Sequence, residues 1–171
     1  MPKKLDMNYC MQCGTKLEMR MHPQEETEVA YCPTCEAFRH PIYNTAVSMV
    51  VQNQSKDRFL LIQQYGRPSY ILVAGYINRG EDAEDAVRRE VMEETGLTVE
   101  TVTFNRSHFF EPSNTLMLNF SCTVRDMDVH NNEEVDRWQW FTEEGARENI
   151  RPNSLAEQFL KHYLENRGRS Q

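Results

Sequence analysis

The chain has 171 residues, 39% of them hydrophobic, and a formal net charge of −7. That length suits one ordinary domain with a small appendage, and no apolar run approaches the roughly 18 residues of a membrane span. The acidic balance argues against a general nucleic-acid-binding surface, and the start, Met-Pro-Lys-Lys-Leu-Asp, lacks the apolar stretch of a signal peptide, so a cytoplasmic location is expected.

Chemistry begins at residue 10. The pairs Cys10-Met-Gln-Cys13 and Cys32-Pro-Thr-Cys35 are separated by 18 residues, the spacing of a four-thiolate zinc site, and Gly14 suits the tight turn after the first pair. Disulfides are the alternative, disfavoured in a reducing compartment. Four sulfurs fill a tetrahedron and leave no position for water, so the zinc is expected to be structural. A segment this short buries little core, and the metal would supply most of its folding free energy. Residues 1–40 therefore read as a zinc ribbon with short hairpins around each knuckle, and 41–171 as a second domain.

From residue 41 the pattern turns α/β. Runs 45–52 and 58–63 flank the polar turn 53–57 as a hairpin, and 70–74 is a short strand. A helix is predicted over 82–95, stopped by Gly96. Strands follow near 99–105, 115–124 and 137–141. Cys122 stands in the second of these as a buried core thiol. A last helix, 154–166, carries Leu155, Phe159, Leu160, Tyr163 and Leu164 at helical spacing as a core stripe, and the chain is expected to fray from Gly168.

The helix over 82–95 holds the informative segment, GYINRGEDAEDAVRREVMEETGL at 75–97. Glu90, Glu93 and Glu94 stand at i, i+3 and i+4, so one helix face gathers three carboxylates where its apolar stripe should continue. Glu81 can reach back over the first turn. Like charges at this spacing repel, and a divalent cation is the simplest compensation. Hard oxygen ligands suit Mg²⁺ or Mn²⁺, which also bind phosphates. Arg89 sits inside the cluster, where its fork can hold a carboxylate by paired hydrogen bonds. Gly75 fits a close backbone approach and Gly96 a left-handed cap.

The same residues complete the frame G-x5-E-x7-R-E-U-x-E-E-x-G-U (U apolar), and the chain resembles the Nudix hydrolases in all of it. The resemblance implies a Nudix α/β/α sandwich with a mixed sheet, here preceded by a small zinc-ribbon domain. It implies metal-dependent cleavage of a nucleoside diphosphate linked to another group, a small-molecule, nucleotide-containing substrate. A ribbon ahead of a Nudix domain resembles the NADH pyrophosphatase branch, whose members hydrolyse NAD(H) to a mononucleotide and AMP. Arg39-His40-Pro41-Ile42-Tyr43 resembles the link into its first strand, and Pro152-Asn153-Ser154-Leu155-Ala156 the stretch that opens its last helix. Glu134 lies six residues before Trp140, where that branch often carries another metal-binding glutamate. One stretch departs. The branch marker SQPWPFPxS corresponds to residues 107–117, which keep serine, a central aromatic and Leu-Met but lack the tryptophan and most prolines. The chain also begins at the ribbon, without the N-terminal domain of longer members. ADP-ribose and nucleotide sugars therefore stand beside NAD(H) as substrates.

The expected catalytic set is Glu90, Glu93, Glu94, Arg89 and Glu134, with Glu81, Glu90, Glu93, Glu94 and Glu134 as the Mg²⁺ or Mn²⁺ ligands. Water attacks one phosphorus, and Glu90, Glu93 or Glu134 takes its proton. Gly75, Tyr76, Phe109 and Phe110 are the candidate substrate contacts, although the phenylalanines read equally as strand core and only one of the two can face a pocket. Two rival readings are a non-enzymatic nucleotide sensor and a ribbon that recruits RNA ends. Quaternary state is not readable from the chain; relatives in this branch commonly form homodimers through elements around the ribbon.

Overall fold

The computed structural model describes residues 7–168. The start and the tail beyond Gly168, where fraying was expected, lie outside them. The chain divides into two compact units: Met1–Asn44 with Glu111–Asn114, and Thr45–Phe110 with Thr115–Gln171.

In the first unit, β1 (Glu18–Met21), β2 (Glu28–Cys32) and β3 (Ala37–Arg39) form an antiparallel sheet in chain order. A Tyr9–Lys16 bridge closes the first cysteine pair, and the β2–β3 hairpin carries the second. The residue after each pair, Gly14 at φ 73° and Glu36 at φ 51°, turns left-handed. Little apolar surface is buried: Cys10, Cys32 and Val29 are the buried hydrophobics of this segment among the described residues. The Tyr31 and Phe38 rings meet edge-on at 5.0 Å and Arg20 stacks on Tyr31 at 4.0 Å.

The second unit contains β4 (Asn44–Gln52), β5 (Phe59–Gln64), β6 (Val73–Tyr76), α1 (Ala83–Thr95), β7 (Val99–Phe110), β8 (Thr115–Val124), β9 (Val135–Phe141), α2 (Glu143–Asn149) and α3 (Leu155–Asn166). The sheet runs β7-β8-β4-β5-β9, and β6 pairs antiparallel with the first half of β4. Strand alternation sorts its side chains into two cores. Val47, Met49, Val51, Leu60, Ile62 and Val73 pack with Ala86, Val87 and Val91 of α1. Val50, Phe59, Leu61 and Leu72 pack with Ala146 of α2 and Phe159, Leu160 and Leu164 of α3. This is the expected α/β sandwich, helices on both faces of the sheet. No helix among the described residues is long and apolar enough to cross a membrane.

Two features were not predicted. The helix α2, Glu-Glu-Gly-Ala-Arg-Glu-Asn, buries only Ala146, so it carries no apolar period; its start is the Thr142 side chain accepting from the Gly145 N–H. Strand β7 continues to Phe110, because pairing with β8 down to Phe110–Thr115 overrides its polar residues. Cys122 is buried as expected, and burial pushes its thiol up to about 12.

The helix α1 ends at Gly96, φ 70°, whose N–H bonds the Met92 carbonyl. A Cβ there would sit 3.0 Å from the His130 carbonyl oxygen. Gly96→Ala should therefore destabilise the fold by roughly 1–3 kcal/mol, measured by urea unfolding.

Candidate active site and metal centre

The acid cluster is built by the turn before α1 and by α1 itself. Its hub is Arg89, which donates five hydrogen bonds. Nε and Nη2 grip both oxygens of Glu81 at 2.7 and 2.9 Å. Nη1 reaches Glu90 at 2.7 Å and Glu93 at 3.1 Å, and Nη2 also reaches the Tyr76 carbonyl at 3.0 Å. Glu81 accepts the Asn78 N–H at 2.9 Å as well. The Arg89 fork and that N–H hold the Glu81 carboxyl down to about 2. The carboxylates in turn hold Arg89 above its ordinary value, Glu81 foremost.

Gly75 is placed against Glu90: a Cβ added there would lie 1.9 Å from the Glu90 carboxyl carbon. The missing side chain makes room for a carboxylate, which is the close approach the sequence suggested. Tyr76 is exposed and is tied to the cluster by its backbone carbonyl.

Burial is graded along the helix face. The Glu93 side chain is exposed, the Glu90 side chain mostly covered, and Glu94 is only 3% exposed. Glu94 Oε2 is buried with no hydrogen-bond partner, and so is Gln64 Nε2. Burial raises the Glu94 carboxyl to about 7; Gln64 opposes this, while Glu90, Glu134 and Glu93 add to it. A buried carboxylate oxygen facing other carboxylates, with nothing to bond, fits a cation.

Glu134 joins this group from the loop before β9. The Asn132 side chain accepts its backbone N–H at 3.0 Å, and the Tyr65 hydroxyl donates to its carboxylate at 3.2 Å. Tyr65 and Gly66 both have positive φ, and the Gly66 N–H donates to Asp136 at 2.7 Å. Sequence reading missed Gln64, which ends the apolar strand β5, and took Tyr65, next to it, as a loop tyrosine that simply packs.

Phe109 and Phe110 separate as alternation requires. Phe110 lines a cavity of about 520 Å³ between the sheet and the start of α3, and Phe109 is 44% exposed. Ala74 lines the same cavity, so consecutive residues of β6 serve the cavity and the acid cluster.

The cysteines form a second cluster. All four Sγ atoms lie within 4.8 Å of one another, with Cys13–Cys32 at 3.4 Å and Cys10–Cys35 at 4.0 Å. Sulfurs bound to one tetrahedral zinc at about 2.3 Å would be about 3.8 Å apart. The donor set fits zinc, and no disulfide joins these cysteines. Arg39, 3.3 Å from Cys10 Sγ, holds that thiol down to about 6; hydrogen bonding from Cys13 and burial push Cys35 up to about 12. Such crowded thiols cannot all ionise without a cation among them.

The family model for the NUDIX domain matches residues 42–163. The chain belongs to the Nudix family. It is 33% identical over 149 residues to Nudix hydrolase 19, chloroplastic, of Arabidopsis thaliana, covering 81% of this chain and 33% of that protein. It is 30% identical over 162 residues to the NAD-capped RNA hydrolase NudC of Pseudomonas aeruginosa strain LESB58, covering 93% of this chain and 56% of that one. The chain thus spans about half or less of the length of these relatives. The crystal structure of a Nudix hydrolase from Nitrosomonas europaea superposes with a TM-score of 0.69 at 21% identity, covering 96% of this chain and 94% of that one, and shares the fold. These Nudix relatives include the branch that ribbon and box resemble. Their names also remove the ground for excluding nucleic acid, for which net charge was the argument.

Two outcomes follow from the clusters. The native state favours protonated Glu94, whose carboxyl rises from 4.5 to about 7, so its contribution is full below 4.5 and lost as pH rises through about 7. Thermal melts in EDTA should fall across that window, Mg²⁺ should restore stability, and Glu94→Gln should flatten the dependence. Purified protein should carry stoichiometric zinc by atomic absorption, and Cys32→Ser should lose it.

Proposed function

We propose that the chain is a divalent-metal-dependent pyrophosphohydrolase acting on a nucleoside diphosphate joined to a second group, with NAD(H)-type dinucleotides as the leading substrates. The observation that carries this reading is the unpartnered, buried Glu94 oxygen beside Glu90, Glu93 and Glu134. An arginine-bound carboxylate row alone would need no such orphan.

Glu90, Glu93, Glu94 and Glu134 would hold Mg²⁺ or Mn²⁺, with Glu81 behind them. A bound cation of this kind neutralises charge on the diphosphate and lowers the pKa of water. The chain's own residues do the rest. Arg89 fixes Glu81 and Glu90 and ties both to the Tyr76 carbonyl, so the ligands are oriented before substrate arrives. Water attacks one phosphorus, the bond to the bridging oxygen breaks, and a carboxylate accepts the water proton. Glu93 is the exposed one among Glu90, Glu93 and Glu94, and Glu134 accepts from the Tyr65 hydroxyl. Either is open to solvent for returning that proton. The zinc is structural in this scheme: the four cysteines complete its coordination.

RNA carrying an NAD cap at its 5′ end is a second reading, favoured by the relatives that bear that activity in their names. The broken branch marker at residues 107–117 favours a substrate range wider than NADH.

The test is a hydrolysis panel with Mg²⁺ or Mn²⁺ over NADH, NAD⁺, ADP-ribose, nucleotide sugars and an NAD-capped oligoribonucleotide at two salt concentrations. Glu93→Gln and Glu94→Gln should each lower kcat/KM by at least about a hundredfold. Both variants should keep the wild-type circular dichroism. Near-wild-type turnover by either at saturating Mg²⁺ would overturn the ligand assignment.

A further inference from the structure

The turn that follows β5 holds a residue that neither local propensity nor packing explains. The Arg67 N–H donates to the Gln64 carbonyl at 3.1 Å, and the two residues between them, Tyr65 and Gly66, have φ of 56° and 67°. Positive φ at both central positions is the pattern of a type I′ turn, which favours asparagine, aspartate or glycine at the first of them. A tyrosine there is strained. Burial of the ring does not offset the strain, since Tyr65 is 70% exposed. Its one side-chain hydrogen bond among the described residues runs from its hydroxyl to Glu134 Oε2, at 3.2 Å.

The turn is also fastened from the opposite strand. Gln63 pairs with Arg137 and Gln64 with Val135, so Asp136 is the extra residue of a bulge in β9. Its Oδ2 accepts the Gly66 N–H at 2.7 Å. Bulges re-aim side chains, and this one aims an anchor at the left-handed turn. Glu134 lies two residues before that anchor, is exposed, and enters β9 from a loop. The Tyr65 hydroxyl is the one hydrogen-bond donor to its carboxylate among the described residues. Without that donor the side chain would keep its rotamer freedom until a cation ordered it, and binding would be weaker by that entropy. Gln64, the first residue of the same turn, lies beside Glu94.

We propose that Tyr65 is a positioning residue of the cation site: its hydroxyl, set by the left-handed turn and the Gly66–Asp136 bond, holds the Glu134 carboxylate ready for a divalent cation. The proposal rests on the metal-dependent reading, so its test reads the cation directly. Mn²⁺ is titrated into the full chain without substrate, and the free ion is followed by electron paramagnetic resonance. Wild type, Tyr65→Phe, Glu134→Ala and the variant carrying both changes form a cycle.

Tyr65→Phe should weaken Mn²⁺ binding about three- to tenfold, the range of one exposed hydrogen bond. In the Glu134→Ala background the same change should have no effect. Asp136→Asn, which keeps an acceptor for the Gly66 N–H, should bind as wild type does, whereas Asp136→Ala should weaken binding as Tyr65→Phe does. Wild-type affinity in Tyr65→Phe would overturn the proposal and leave the hydrolase reading standing, because only the hydroxyl has been removed. An equal loss in both Glu134 backgrounds would also overturn it, by giving Tyr65 a general role in the fold. Failure of wild type to bind Mn²⁺ would sink the metal-dependent reading itself, and the proposal with it.

Discussion

Carboxylates crowded onto one helical turn repel one another, and the Arg89 guanidinium is the protein's own answer to that repulsion. It grips Glu81 with a two-pronged bond, touches Glu90 and Glu93, and anchors the loop through the Tyr76 carbonyl. One planar cation thus sets the positions of three acids and of the strand end beside them. Glu94 is the acid it does not reach. Burial leaves one oxygen of that carboxylate without a hydrogen-bond partner, which sets Glu94 apart from the acids that Arg89 neutralises.

The cysteine cluster and the acid cluster stand in different surroundings. In the first unit the four sulfurs converge where the sheet has little else to bury, so a metal bound there would substitute for a core. The second unit has two well-filled cores, one on each face of its sheet. There the acids are a local departure from a stable pattern: α1 continues its buried stripe Ala86, Val87, Val91 into Glu94 and Thr95. Stability is drawn from the rest of the helix, which lets the last turn carry charge.

Much of this was legible in the sequence because the relevant chemistry is local. The helix, its glycine stop and its acids occur within 23 consecutive residues, and the cysteine pairs announce themselves by spacing. What stayed hidden is what depends on distant contacts. Tyr65 matters through Glu134, sixty-nine positions away, and Gln64 through a helix two elements later. The helix α2 escaped because a single alanine anchors it. Gly75 shows an intermediate case: the need for a glycine was readable, but not that the group it accommodates is Glu90.

The close alternation along β6 has an evolutionary consequence. Residues facing α1 and those facing α3 are interleaved at every second position, so the wall of the acid cluster and the wall of the cavity share one strand without sharing a side chain. Mutations at one parity can reshape the cavity while the glycine beside Glu90 is left untouched. A single-residue insertion in the strand would exchange the two roles at once. Selection can therefore alter this strand by substitution, but is barred from altering its length.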